Sequence, residues 1–309
     1  MKNYILSTLV LFVIATSFAQ DDITFNPIKH NPSFVGNKET HRIIYAPGLL
    51  ENEVYFNSGL SYDTYLKKIR SGIGIQFGYP FPSESIIRKS LNTAVSISPK
   101  FNLGKEVLFS TSYRFHFDRV HKFRSPFNNT KHELGFLINN KTTQFGYVFG
   151  RYILHNHNFS GEIFNFLQIP FDGSRIVKIN YFYSTHNFHF SKSFTVGKRF
   201  NYTPIVMYRL VDQKKINNYT VKKIHAYETN LSFSNYISNE KYRWGIYSKI
   251  RSGELVTYTR YINGIIYGRN YTHFKWQLGV FLHAVKGATP TYSGRLSLQY
   301  VFNKRDQRS

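Results

Sequence analysis

Bulky and small or polar side chains alternate along this chain in segments of about ten residues, and the alternation runs to the C-terminus. In the last segment Leu296, Leu298, Tyr300 and Phe302 fall on one face of a strand, with Arg295, Ser297 and Gln299 on the other. Val107, Phe109, Tyr113, Phe115 and Phe117 stand in the same way against Ser110, Ser112, Arg114 and His116. Strand side chains point to opposite faces with period two, so each segment has one apolar wall and one polar wall. A β-barrel in lipid requires both. The competing fold is a soluble periplasmic β-sandwich or jelly roll. Alternation sustained over so many strands, with aromatic residues on one wall, favours the barrel.

Residues 1–19 read as a signal peptide: Lys2 supplies the positive start, Ile5 to Ile14 the apolar core and Ser17-Phe18-Ala19 the cleavage site. The expected organisation is this signal followed by one domain over 20–309, with 20–40 as an N-terminal plug segment tucked into the lumen. The chain has no cysteine, which excludes disulfides and thiolate metal sites. After the signal no apolar run is long enough for a membrane helix, so spanning must use strands.

Strands are predicted at 53–63, 69–80, 91–101, 105–117, 132–140, 142–152, 174–184, 188–198, 202–211, 226–237, 241–251, 254–267, 271–284 and 292–302, with 41–46 as an additional candidate. The fold class is therefore all-β, a transmembrane antiparallel barrel of about fourteen strands. Polar connections at 118–131, 153–173 and 211–225 read as outer loops, and Asn263-Gly264 as either a hairpin turn or a kink inside a strand.

Forty basic residues against seventeen acidic ones give a formal charge of +23. The cations are spread along the chain, and an exported protein meets anionic lipid and glycan, not nucleic acid. Arg114, Arg243, Lys249, Arg260, Lys275 and Arg295 fall on the inner wall and form a set of candidate lumen cations. No catalytic constellation is visible: HExxH, GxSxG and phosphate-binding glycine loops are missing from the sequence. His155 with His157, and His186 with His189, are the nearest approach to a metal site, and His116 the nearest to a catalytic histidine. The reading is of a protein with no cofactor, no catalytic residues and no metal.

Asn31-Pro32-Ser33-Phe34-Val35-Gly36 is followed by Arg42, Tyr45, Pro47-Gly48-Leu49, then Gly59-Leu60-Ser61-Tyr62-Asp63, then Ser71-Gly72-Ile73-Gly74-Ile75. This ordered series resembles the PorP/SprF family of outer-membrane proteins of the Bacteroidota type IX secretion system. The resemblance covers roughly Asn31 to Gly78 and picks out Asn31, Pro32, Gly36, Arg42, Pro47, Gly48, Ser61, Tyr62 and Asp63, as structural or partner-binding positions. It implies a non-enzymatic, monomeric barrel in the outer membrane of a Gram-negative bacterium. Its expected partners are outer-membrane lipid, subunits of the secretion machinery and a secreted cargo protein with a C-terminal sorting domain, in some cases an adhesin of gliding motility. Read from the residues alone, Asn31 to Gly36 is a turn that seats the N-terminus against the barrel, and Tyr62 with Asp63 a lumen pair or buried anchor. The alternative function is a transport channel for an apolar or anionic small molecule, and a third class is a barrel hydrolase.

Overall fold

The computed structural model describes residues 23–37, 41–48, 56–81, 89–122, 125–154, 180–216, 223–253, 259–285 and 288–302. Fifteen antiparallel strands follow one another: β1 (His41–Gly48), β2 (Phe56–Leu66), β3 (Ser71–Phe81), β4 (Lys89–Asn102), β5 (Leu108–Lys122), β6 (Ser125–Asn139), β7 (Thr143–Leu154), β8 (Asn180–Lys192), β9 (Phe194–Val196), β10 (Phe200–Ile216), β11 (Lys223–Ser238), β12 (Tyr242–Gly253), β13 (Arg260–Asn270), β14 (Phe274–Val285) and β15 (Thr291–Phe302). Each pairs with its neighbour in sequence, except that β10 reaches past the three-residue β9 to pair with β8. β15 then pairs with β1, which closes the ring: fourteen strands form the wall, and β9 extends the β8–β10 turn. Closure satisfies the backbone hydrogen bonds of every wall strand, the condition for strands in lipid.

β5 and β6 meet in a long hairpin at one end of the barrel, while the connections at Gly104-Lys105, Asn139-Asn140 and Ser238-Asn239 lie at the opposite end, where β1 begins and β15 ends. By the usual arrangement of outer-membrane barrels this end faces the periplasm and the other end the outside. The outward wall carries Phe77, Val95, Ile97, Phe136, Phe188, Phe233, Ile246 and Val280, all exposed on the barrel exterior. The inward wall is small and polar: Ser61, Ser96, Ser98, Ser110, Ser112, Ser232, Ser234, Ser293 and Ser297 are buried there. An apolar exterior around a polar interior fits lipid and is the inverse of a soluble protein, so the chain is an outer-membrane β-barrel.

Sequence reading and structure part at several points. The count of fourteen survives, with different members. The predicted strands 174–184 and 188–198 merge into β8, whose polar run Ser184 to Asn187 continues the ladder against Gly150, Phe149 and Val148 on β7. The additional candidate at 41–46 is a full wall strand, and it runs on through Pro47-Gly48, which pair with Ser58 and Asn57 and do not turn. Asn263-Gly264 lies inside β13, paired with Leu282 and Phe281, and the glycine makes room for the Phe281 ring, which a Cβ at position 264 would meet. The connection expected at 118–131 is largely the extended β5–β6 hairpin. Of the connection expected at 211–225, residues 211–216 and 223–225 are instead the paired ends of β10 and β11, and 217–222 lie outside the described residues, as do nearly all of the connection at 153–173 and the signal peptide.

The lipid-facing assignment has a direct test. Ile265, 67% exposed on the outer face of β13, is expected to tolerate Lys poorly. Ile265→Lys should lose about 2–4 kcal/mol in denaturant unfolding of the barrel in lipid vesicles, the cost of a charge near the bilayer midplane. Unchanged stability would take this wall out of the membrane.

Candidate functional site

Residues 23–37 form a compact segment inside the periplasmic half of the barrel. Asn26 caps a single helical turn, α1 (Pro27–His30), by accepting from the Lys29 N–H at 3.2 Å, and Pro27 supplies the fixed φ of the first position. Asn31 then starts a 3₁₀ turn, Pro32–Phe34, by accepting from Ser33 N at 2.8 Å. Gly36 follows at φ 64°, a left-handed conformation that disfavours a side chain. Local sequence rules thus fold the segment before it meets the wall.

The wall holds it at successive points. The Arg42 guanidinium donates to both Asp63 oxygens, from Nε at 2.7 Å and from Nη2 at 2.9 Å, and Nη2 also donates to the Phe34 carbonyl at 3.2 Å. The Gly36 N–H donates to Asp63 Oδ2 at 2.6 Å. Arg42 and Asp63 are both buried, and Arg42↔Asp63 is also a cross-strand pair of β1 and β2, so the ladder itself sets the two side chains together. Asn31 Nδ2 reaches the Phe136 carbonyl at 3.0 Å, Ser33 Oγ meets Ser112 Oγ at 2.8 Å, and Lys100 Nζ donates to Ser33 O at 3.0 Å. Nearer the start, Asn26 Nδ2 donates to Ser61 Oγ at 3.1 Å and Ser297 Oγ to the Phe25 carbonyl at 2.7 Å.

Packing complements these bonds. Phe25, Phe34 and Ile23 join Ile205, Tyr236, Tyr247, Ile262, Ile266 and Phe281 of the wall in one buried cluster. Inner-wall glycines admit the segment: a Cβ at Gly72 would overlap the Val35 carbonyl, and one at Gly135 would stand 2.7 Å from Asn31 Oδ1. The segment is therefore a fitted plug.

Of the motif residues, Asn31, Pro32, Gly36, Arg42, Ser61 and Asp63 meet in this anchor. Tyr62 does not: it points to the outer face and shares a hydrogen bond of 2.7 Å with His41 Nδ1. The expected Tyr62–Asp63 lumen pair fails because adjacent strand residues face opposite sides. Pro47 and Gly48 lie at the far end of β1, away from the anchor.

The candidate lumen cations do not form one cluster. Arg114 is fully buried against Glu133, with Nη2 donating to Lys29 O at 3.0 Å and Nη1 to Ile28 O; it ties the top of the plug to the wall. Lys131 pairs with the same carboxylate, and His116 Nε2 lies 2.8 Å from it. Arg295 sits over the Phe25 ring at 4.7 Å. Arg243 and Lys275 line a cavity of about 120 Å³ beside Thr24 and Gln277 near the periplasmic end. Lys249 is buried on β12, and Arg260 is exposed at the outer end of β13. The sequence reading overlooked Arg209, Arg251, Glu228 and Glu133, which share the inner wall with these groups.

Among the described residues, the histidine–carboxylate and histidine–serine contacts fall on different strands. His116 has its acid in Glu133, which Arg114 and Lys131 also engage, and no serine or threonine hydroxyl is bonded to this histidine among the described residues. His283 meets the Ser293 hydroxyl on other strands, β14 and β15. His186 and His189 stand three residues apart and face opposite sides: His186 accepts or donates at the Tyr147 hydroxyl, 2.8 Å away, while His189 stacks on Phe34. His155 and His157 lie outside the described residues.

No family model and no curated protein matches the chain. Among solved structures it is similar to the CymD monoaromatic hydrocarbon channel, at 9% identity over 93% of each chain with a TM-score of 0.49. It is also similar to the toluene transporter TodX of Pseudomonas putida, at 8% identity over 93% of this chain and 95% of that one, TM-score 0.48. A FadL homologue of Pseudomonas aeruginosa follows at 7% identity over 85% and 88%, TM-score 0.46. The fold assignment stands on the strand ring itself.

Two substitutions separate the anchor's ionic and steric parts. Asp63→Ala strands the buried Arg42 and is expected to lower stability by about 3–5 kcal/mol in denaturant unfolding. Gly72→Val should leave the wall intact, judged by heat-modifiable electrophoretic migration, while expelling Val35 and Gly36 and opening the plug to added protease. A plug equally protected in Gly72→Val would show that it is not seated where described.

Proposed function

We propose that this protein is a plugged, non-enzymatic outer-membrane component of type IX secretion that holds or delivers a specific secreted protein at the cell surface. One observation carries the reading: six positions of the series that resembles the PorP/SprF family, from Asn31 to Asp63, converge on a single structure, the anchor of the lumen plug. In sequence they look like separate fragments; in space Asp63 binds the Gly36 amide and the Arg42 guanidinium together. Such a series supports a shared barrel design in which the periplasmic half of the lumen is filled by the chain itself. A barrel so filled presents its recognition surface at the outer rim and loops, where barrels vary most.

Small-molecule transport would require the plug to leave its seat during each passage. The two functions are therefore distinguishable by locking the plug. Ser33 and Ser112 stand with hydroxyls 2.8 Å apart, and the chain has no cysteine to interfere. A Ser33→Cys/Ser112→Cys variant should form a disulfide in the oxidising periplasm. With the plug locked, the tagged barrel purified from its native outer membrane is expected to bring down secretion-machinery subunits or one large envelope protein, and export of that protein should continue. Recovery of the barrel alone with a bound solute, together with solute uptake that stops on locking, would replace the secretion role by transport.

A further inference from the structure

Above the plug, on the outer side, the register of four neighbouring strands lines up a row that no single stretch of sequence reveals. Arg209 on β10 is the cross-strand partner of Asn230 on β11, Asn230 of Arg251 on β12, and Arg251 of Arg260 on β13. Partners across an antiparallel ladder stand about 5 Å apart, so the row spans about 14 Å of the inner wall. All four belong to the inward set. On β10 they continue Ile205 and Met207, on β12 Tyr247 and Lys249, and on β13 Ile266 and Ile262, the side chains that face or flank the apolar cluster over the plug. The row is the next inward layer toward the outer mouth.

Its charge is unbalanced. Arg209, Arg251, Arg260 and Lys249 face one acid, Glu228, on the described inner faces of these strands. Glu228 bridges the middle of the row: Oε1 accepts from Asn230 Nδ2 and Oε2 from Arg251 Nη2, both at 2.7 Å. Arg209 and Arg260 are exposed; Arg209 lies near enough to Glu228 to feel its charge, and the bonded ion pair of that carboxylate is with Arg251, so neither Arg209 nor Arg260 is held in a direct ion pair among the described residues. The bridge also leaves two unused groups side by side. Asn230 is only 7% exposed, yet its Oδ1 has no partner, and the buried Nε of Arg251 has none either. One is an acceptor and the other a donor.

We infer that this row is a binding site for an anionic saccharide, a sugar carrying a phosphate or carboxylate group, entering from the outer mouth. The anionic group is taken by the guanidiniums of Arg209, Arg251 and Arg260, whose planar donors match oxyanions. The sugar hydroxyls supply a further donor, for Asn230 Oδ1, beside the anionic group held by the arginines. Inorganic phosphate carries its hydroxyl on the same small centre as its charge and cannot extend along a row of about 14 Å, and a neutral sugar has hydroxyls but no charge for the guanidiniums. Burying unpaired polar groups is costly, so a ligand that satisfies both gains selectivity over either fragment. The site needs no particular secretion partner, and it lies outside the plug anchor.

The test is calorimetric titration of the purified full-length barrel in detergent with glucose 6-phosphate, tri-galacturonate, glucose and inorganic phosphate. Glucose 6-phosphate stands for a free solute and tri-galacturonate for the end of a surface glycan, and the tighter of the two identifies the source. At least one is expected to bind about tenfold or more tightly than glucose and phosphate, and Arg209→Gln/Arg260→Gln should remove that advantage. Both arginines are exposed, so the variant should keep its heat-modifiable migration. Equal binding of phosphate and the sugar anions by the unaltered barrel would overturn the proposal without recourse to any variant, as would an unchanged affinity in the double variant.

Discussion

The organisation of the lumen depends on the buried pair Arg42–Asp63 and the amide of Gly36 that shares it. Closing a fourteen-strand ring leaves an interior that side chains of the wall alone must fill or leave wet. Here many inward residues, above all on β2 to β6, are serine or glycine, too small for the task, and the chain fills the periplasmic half with its own N-terminus. A buried carboxylate needs its charge met and its oxygens bonded. Asp63 obtains both from Arg42, with Gly36 N–H completing the set, and that requirement fixes the exit of the plug at the base of β1 and β2.

A plug made from the same chain changes what the barrel can do. It places aromatic rings, Phe25 and Phe34, across the middle of a polar lumen, where they pack on Tyr236, Tyr247 and Phe281. Below them lies a small polar cavity lined by Thr24, Arg243 and Lys275; above them the arginine row faces the outer mouth. The plug thereby separates two basic regions of the inner wall, one toward the periplasm and one toward the outer mouth. The secretion role we propose uses such a division for recognition, whereas a transport role would have to move the plug.

The faces of the strands were legible in the sequence because period-two alternation survives wherever one wall meets lipid. Ile73, Ile75 and Phe77 outward, with Gly72, Gly74 and Gln76 inward, follow directly from it. The error in β8 has a physical cause: Ser184, Thr185, His186 and Asn187 have the composition of a turn, and only pairing on both sides, with β7 and β10, holds them extended. Motif residues 31, 36, 42 and 63 were visible as a series, yet their meeting was not, because it depends on how far the N-terminal segment reaches into the ring. Glu133 beside Arg114, and the row Arg209–Asn230–Arg251–Arg260, are set by strand register. Register follows from hairpin turns and ring closure, and a linear reading does not supply it.

The most direct measurement of whether the N-terminal segment closes the lumen is single-channel recording in planar lipid bilayers, comparing the intact barrel with a variant lacking residues 23–37. The intact barrel is expected to be nearly silent and the shortened one to show stable conducting steps. Equal conductance in the two would mean that ions already pass beside the segment, and the lumen would then be an open pore with a lining and not a plugged barrel.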